Sequence, residues 1–200
     1  MTTELRLQAD FELSAPDLRR APPEGMPEVA FAGRSNAGKS SVLNRITGNR
    51  RTAKVSKTPG RTQMLNFFTV PGGGRLVDLP GYGYAKAGKA QQSSWQAAVN
   101  DYLSNRDSLV GLVLVMDIRH PNQAYDQELL QWSAASELPT HVLLNKADKL
   151  KSGRQKQALM SLKKIYKDHP TLTCQCFSAT RGSGTPELIN QLTDWLASDL

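Results

Sequence analysis

The chain has 200 residues, 39% hydrophobic and 22% charged, an ordinary balance for one globular domain. Its longest apolar run, Leu109 to Met116, is too short to span a bilayer, and the mixed charges of residues 1–25 leave no apolar block for a signal peptide. A cytoplasmic location with no membrane attachment is therefore expected, and the net charge of +7 points to an anionic partner, nucleic acid first.

In chain order, residues 1–25 form an N-terminal extension punctuated by Pro16, Pro22, Pro23 and Gly25, in which Phe11 and Leu13 alternate weakly, as an edge strand would. The domain proper spans residues 26–200, with no internal repeat, linker or second domain. Glu28 to Gly33 reads as a strand and Lys39 to Gly48 as a helix with Gly48 at its C-cap. Residues 49–62 carry Arg50, Arg51, Lys54, Lys57 and Arg61 without periodicity and read as a mobile basic loop. Met64 to Val70 and Arg75 to Leu79 form an antiparallel hairpin around Pro71-Gly72-Gly73-Gly74. Leu109 to Met116 is a strand buried on both faces, Asn122 to Ala135 a helix, Thr140 to Asn145 a strand and Ser152 to Tyr166 a helix. Leu172 to Phe177 is an edge strand, and Thr185 to Ala197 a closing helix with Thr185 as N-cap and Pro186 at its first position. Cys174 and Cys176 share one strand face and read as small buried thiols; a disulfide framework or metal site would need more partners. This alternation predicts an α/β fold: a mainly parallel six-stranded sheet with one antiparallel edge strand and helices on both faces.

Gly33-Arg34-Ser35-Asn36-Ala37-Gly38-Lys39-Ser40 fits G-x-x-x-x-G-K-[ST] between a strand and a helix. Glycines let the loop backbone approach phosphate oxygens closely, and its amides with the helix start favour an anion. Lys39 supplies a charge to the β- and γ-phosphates, and the Ser40 hydroxyl can ligate Mg²⁺. Asp78-Leu79-Pro80-Gly81 ends a later strand, where the Asp78 carboxylate can hold Mg²⁺ through water and the Gly81 amide can sense a γ-phosphate. Asn145-Lys146-Ala147-Asp148 follows another strand. Both Asp148 oxygens match the N1–H and N2–H₂ donors of guanine, a pair that adenine lacks, so the site selects GTP over ATP. Asn145 supports loop and base, the Lys146 stem covers the ring face, and the Ser178-Ala179 amides suit guanine O6, with Phe177 packing beneath.

These boxes in this order resemble the three-layer, Ras-like P-loop GTPases. Pro27 to Ser41, Lys57-Thr58-Pro59-Gly60-Arg61-Thr62-Gln63 with Asn66-Phe67-Phe68, and Asp78 to Lys86 are narrower still. They resemble the EngB family (also YihA or YsxC) within the TrmE–Era–EngA–EngB–septin-like class, over nearly the whole chain. The resemblance implies a GTP-hydrolysing switch in large ribosomal subunit assembly, working on the subunit or its rRNA precursor, with a role in cell division and septation. It implies one Mg²⁺ held by Ser40 and Thr62; a monomer is expected. It carries over as binding residues Gly33 to Ser40, Gly60, Arg61, Thr62, Gln63, Met64, Asp78, Leu79, Pro80, Gly81, Asn145, Lys146, Ala147, Asp148, Phe177, Ser178 and Ala179. Among these, Lys39, Thr62, Gly81 and Asn36 are the expected catalytic residues. A threonine in a mobile loop can cap the metal only while γ-phosphate is present; Thr58, just before Pro59, suits a turn instead.

Many GTPases place a water-orienting Gln directly after D-x-x-G; here that position is Tyr82. With no evident internal arginine finger beyond Arg34 or Arg61, slow intrinsic turnover raised by a partner is expected. Asn36 either holds a K⁺ ion that replaces the finger or caps the loop. Lys149, Lys151, Arg154, Lys156, Lys163, Lys164 and Lys167 form a stretch that is either a solvated helix face or a contact for rRNA phosphates, with Ala158, Leu159, Leu162 and Ile165 as the buried stripe. The competing function is a Ras-like signalling GTPase without ribosome association, and no C-terminal Cys is available for lipidation.

Overall fold

The computed structural model describes residues 6–48, 64–82 and 89–197, the segment 89–96 by its backbone alone. The basic loop with Thr58, Gly60, Arg61, Thr62 and Gln63 lies outside the described residues, as do Gly83 to Lys86.

Aliphatic residues on both sides of the chain bury β2 (Glu28–Gly33), β5 (Leu109–Asp117) and β6 (Thr140–Asn145) almost throughout. They form the centre of a seven-stranded sheet with β1 (Asp10–Ala15), β3 (Leu65–Thr69), β4 (Arg75–Asp78) and β7 (Leu172–Cys176), in the order β1-β3-β4-β2-β5-β6-β7. The strand count corrects the expected six. Asp10–Ala15 pairs antiparallel with β3, so the alternation of Phe11 and Leu13 is a real strand, its register shifted by a bulge between those residues. β3 is the antiparallel strand of the hairpin, but β1 covers it, so it is not the edge. The edges are β1 and β7.

Side-chain alternation splits the core between two faces. Leu112 and Leu114 of β5 and Val142 and Leu144 of β6 meet Tyr102 and Leu103 of α2 (Lys89–Asn105), Leu130 of α3 (Ala124–Ala135) and Leu162 of α4 (Ser152–Ile165). Val113 and Val115, with Val29 and Phe31, meet Val42, Leu43 and Ile46 of α1 (Lys39–Thr47) and Leu188, Ile189 and Leu192 of α5 (Thr185–Leu196). Each such aliphatic side chain contributes about 1.5–3 kcal/mol on burial. The three layers follow.

Gly48 caps α1 as expected, in the left-handed region with its amide on the Asn44 carbonyl. The α5 cap is corrected by one residue: Gly184, at φ 83°, is the N-cap and Thr185 is the first helical residue. A Cβ at Gly184 would meet the Cys176 carbonyl at 2.7 Å, so the turn admits only glycine. Ile165 leaves the expected buried stripe of α4; it is 60% exposed near the helix end, where Tyr166 and Leu162 take the inward positions. α2 has no counterpart in the expected elements. Val99, Tyr102 and Leu103 are among its described contacts with the core.

β2, β4, β5, β6 and β7 run parallel, so their C-terminal ends emerge together. This gathers Gly33, Asp78, Asp117, Asn145 and Phe177 at one edge of the sheet, where open α/β sheets bind ligands.

Candidate functional site

A cavity of about 360 Å³ opens at this edge, lined by Arg34 to Asn36 and Gly38 to Ser41 of the loop, by Asn66, and by Asp78 to Gly81, with Lys146 on one side. The glycines of the loop serve different ends. Gly38 sits at φ 97° with its α-carbon against the Asn145 amide, so the loop turns there because no side chain intervenes. Gly33 needs its missing side chain for the sheet: a Cβ would lie 2.6 Å from the Val115 carbonyl of β5. Lys39, nearly buried at the start of α1, reaches across the cavity to an ion pair with Asp78. Ser40 stands beside them on the cavity wall. The Ser35 amide donates to the Tyr82 carbonyl at 2.7 Å, tying this loop to the end of D-x-x-G.

A second set of loops meets the first through Asn145, which is 1% exposed. Its Nδ2 donates to the Ala37 carbonyl at 2.9 Å and its Oδ1 accepts from the Ala179 amide at 3.3 Å. One amide side chain thus joins the Gly-rich loop, the N-K-x-D turn and the Ser178-Ala179 loop. Phe177 is fully buried, its amide on the Leu144 carbonyl at 2.9 Å and its own carbonyl accepting from Ala147 at 3.0 Å. Asp148 follows in a 3₁₀ turn, Ala147–Lys149, and accepts from the Ser178 hydroxyl at 2.6 Å. That bond, with Lys149 beside it, holds the Asp148 carboxyl below its ordinary value and keeps it an acceptor. Met64 is half-buried just before β3.

A family model described as "50S ribosome-binding GTPase" matches residues 28–146. The chain is 47% identical over 191 residues to the probable GTP-binding protein EngB of Vibrio parahaemolyticus, covering 95% of this chain and 87% of that one. It is 50% identical over 193 residues to the EngB of Alteromonas mediterranea, covering 96% and 91%. The chain belongs to the EngB family of GTP-binding proteins. The crystal structure of a probable GTP-binding protein engB superposes with a TM-score of 0.70 at 24% identity, over 84% of this chain and 98% of that one. Era in complex with MgGDPNP and nucleotides 1506–1542 of 16S ribosomal RNA superposes with a TM-score of 0.64 at 24% identity, over 87% and 58%. At that identity both likenesses speak to the fold, which is that of the P-loop GTPases.

In this EngB-family chain Tyr82 takes no place on the wall of this cavity. Its ring stacks on Tyr125 of α3 with centroids 5.3 Å apart, and its hydroxyl donates to Asp126, which caps α3. Burial, reinforced by the Asp126 charge, pushes the phenol far above its ordinary value, so it stays protonated. Burial likewise raises the Asp126 carboxyl. Cys174 and Cys176 are half-buried free thiols, both raised by burial. Two residues that belong with the site carried no motif. Arg45 of α1 donates to the carbonyls of Ala179 and Thr180, each at 2.8 Å, bracing the Ser178-Ala179 loop. Asp117, at the end of β5, accepts from Lys146 Nζ at 2.9 Å. Both are single residues joined to the site only by folding. Among the described residues no helix is long and apolar enough to cross a membrane.

Proposed function

We propose that this chain is a GTP-hydrolysing switch that acts on the large ribosomal subunit or its rRNA precursor during assembly, with the division and septation role its family implies. The observation that carries the nucleotide part is Asn145, which holds the phosphate loop and the Asp148 base turn in one rigid frame. Lys39 and Asp78 then face each other across the phosphate cavity, ready to exchange their ion pair for ligand contacts when phosphates enter.

In the proposed site Lys39 bonds the β- and γ-phosphates, the loop amides surround them, and Asp148 reads the guanine edge. The donor set fits Mg²⁺: Ser40 Oγ and, from outside the described residues, Thr62 would hold it directly and Asp78 through water. Bound there, the ion would neutralise charge on the phosphate oxygens. Water attacks the γ-phosphorus in line, the bond to the β–γ bridging oxygen breaks with its electron pair on GDP, and the water protons pass to the phosphate product. The Gly81 amide stabilises charge on the γ-phosphate. Tyr82 is committed to Asp126, so no side chain at that position orients the water. Intrinsic turnover is therefore slow, and a partner or a K⁺ ion held by Asn36 completes the site.

The ribosomal part rests on charge and on the family description. Lys151, Arg154, Lys156, Lys163, Lys164 and Lys167 are all exposed along α4 and its ends, with Met160 among them at 70% exposure. A solvent-facing row of cations suits a phosphate backbone. Co-sedimentation with purified ribosomal subunits in GTP and in GDP tests both parts. The expected result is nucleotide-dependent binding to the large subunit with turnover raised by it. Equal binding in both nucleotides, or a free-protein rate equal to the subunit-stimulated rate, overturns the switch.

A further inference from the structure

Lys146 is held at both ends of its reach. Its backbone is left-handed, at φ 64°, which turns the side chain back over the phosphate loop. Its ammonium donates to the Asn36 carbonyl at 2.6 Å and to Asp117 Oδ2 at 2.9 Å. Asp117 is itself clamped from the far side: Arg119 donates Nε to Oδ1 at 2.9 Å, Nη2 to Oδ2 at 2.6 Å, and its amide to Oδ1 at 3.0 Å. The bidentate fork fixes the carboxylate plane, leaving Oδ2 aimed at the ammonium. Beyond this clamp lies a pocket of about 150 Å³ lined by Asn36, Asp117, His120, Asp126 and Lys146. A lysine without its carboxylate partner could swing into that space, since the stem has four rotatable bonds and gains rotamer freedom.

We infer that Asp117, with Arg119 behind it, is a positioning residue of the nucleotide site, holding the Lys146 stem in the place where it covers the purine ring. This rests on the assignment of Asn145 to Asp148 as the base-reading turn. An exposed pair two residues apart would ordinarily contribute little. Here Arg119 is 44% exposed but Asp117 only 16%, and the same carboxylate oxygen serves both cations. Asp117 therefore links the end of β5 to the base turn and, through the Asn36 carbonyl, to the phosphate loop. Because the stem packs on the ring face and reads no exocyclic group, Asp117 sets affinity for the purine and leaves the choice between purines to Asp148.

The test is fluorescence titration of the full chain with N-methylanthraniloyl GDP and IDP, the latter lacking the 2-amino group that Asp148 reads. Asp117→Ala should weaken both about tenfold, the size of one charge-assisted hydrogen bond, and leave the GDP to IDP ratio as in the unsubstituted protein. Asp117→Asn, of the same shape, should move in the same direction, which covers misfolding of the alanine variant. Lys146→Ala with Asp117→Ala should bind no more weakly than Lys146→Ala alone. Additive losses in that pair, an altered GDP to IDP ratio, or unchanged affinity in both Asp117 variants overturns the inference. If the unsubstituted protein binds neither nucleotide, the base-reading assignment fails and takes this inference with it.

Discussion

Asn36 stands in the left-handed region at φ 68°, where an asparagine is tolerated far better than a branched or bulky residue. That conformation presents its carbonyl to Lys146, so the residue has a backbone reason to be Asn as well as the proposed ionic one. The two separate in one measurement. A K⁺ ion beside the phosphates acts as a pre-organised electrostatic contact, and turnover in KCl should exceed that in NaCl by about 100-fold. Equal rates leave Asn36 with its conformational role alone. Tyr82 shows the converse: the motif position was legible, but the direction of the side chain was not. A tyrosine after D-x-x-G could face the phosphates or the core, and a buried acceptor on α3, Asp126, decides for the core.

Among the elements, α4 carries the proposed RNA contact. Lys163, Lys164 and Lys167 lie within about one turn of one another at the end of α4, and Lys156 stands about two turns before them with exposed Met160 between; the structure moves Ile165 from the buried stripe to the surface. Phosphate contacts position without reading sequence. Reversing both Lys163→Glu and Lys164→Glu should therefore weaken binding to rRNA of any sequence. It should also flatten the salt dependence, lowering the slope by about 1 for each phosphate that the helix no longer neutralises. Unchanged large-subunit binding at several salt concentrations would remove α4 from the interface. α2 went unanticipated for a local reason: periodicity is the signal for a helix, and Gln91, Gln92, Ser93, Ser94, Gln96, Asn100 and Ser104 leave the segment with few large apolar residues to carry it. β1 was only faintly visible because its alternation spans two residues, and its pairing partner β3 lies over fifty positions away.

Across the molecule, the layers are locked by one buried carboxylate. Glu28, at the start of β2 and 0% exposed, accepts from Arg106 at 2.6 and 2.9 Å, from Arg75 of β4 at 3.3 Å and from the Tyr102 hydroxyl at 3.0 Å. The same arginines reach the Pro22 and Pro23 carbonyls and Glu12 of β1, so the N-terminal segment is fastened to the sheet through this cluster. Glu28→Ala would leave Arg106 buried without its main partner and should cost about 3–5 kcal/mol. Chemical denaturation reads this as a lower midpoint at an unchanged slope. A loss below about 1 kcal/mol would mean the cluster rearranges around Glu12 and Glu24.

The phosphate loop, D-x-x-G, N-K-x-D and the central strands were legible in the chain because each is a local pattern. Backbone freedom, strand hydrophobicity and the chemistry of guanine all act on neighbouring residues. Folding decided the contacts between distant residues: Asn145 on Ala37 and Ala179, Arg45 on the Ser178-Ala179 loop, Asp117 on Lys146, Tyr82 on Asp126, and Glu28 among two arginines. Each joins residues from about thirty to more than a hundred positions apart. Their energies depend on burial and direction, and neither exists until folding brings these distant residues together.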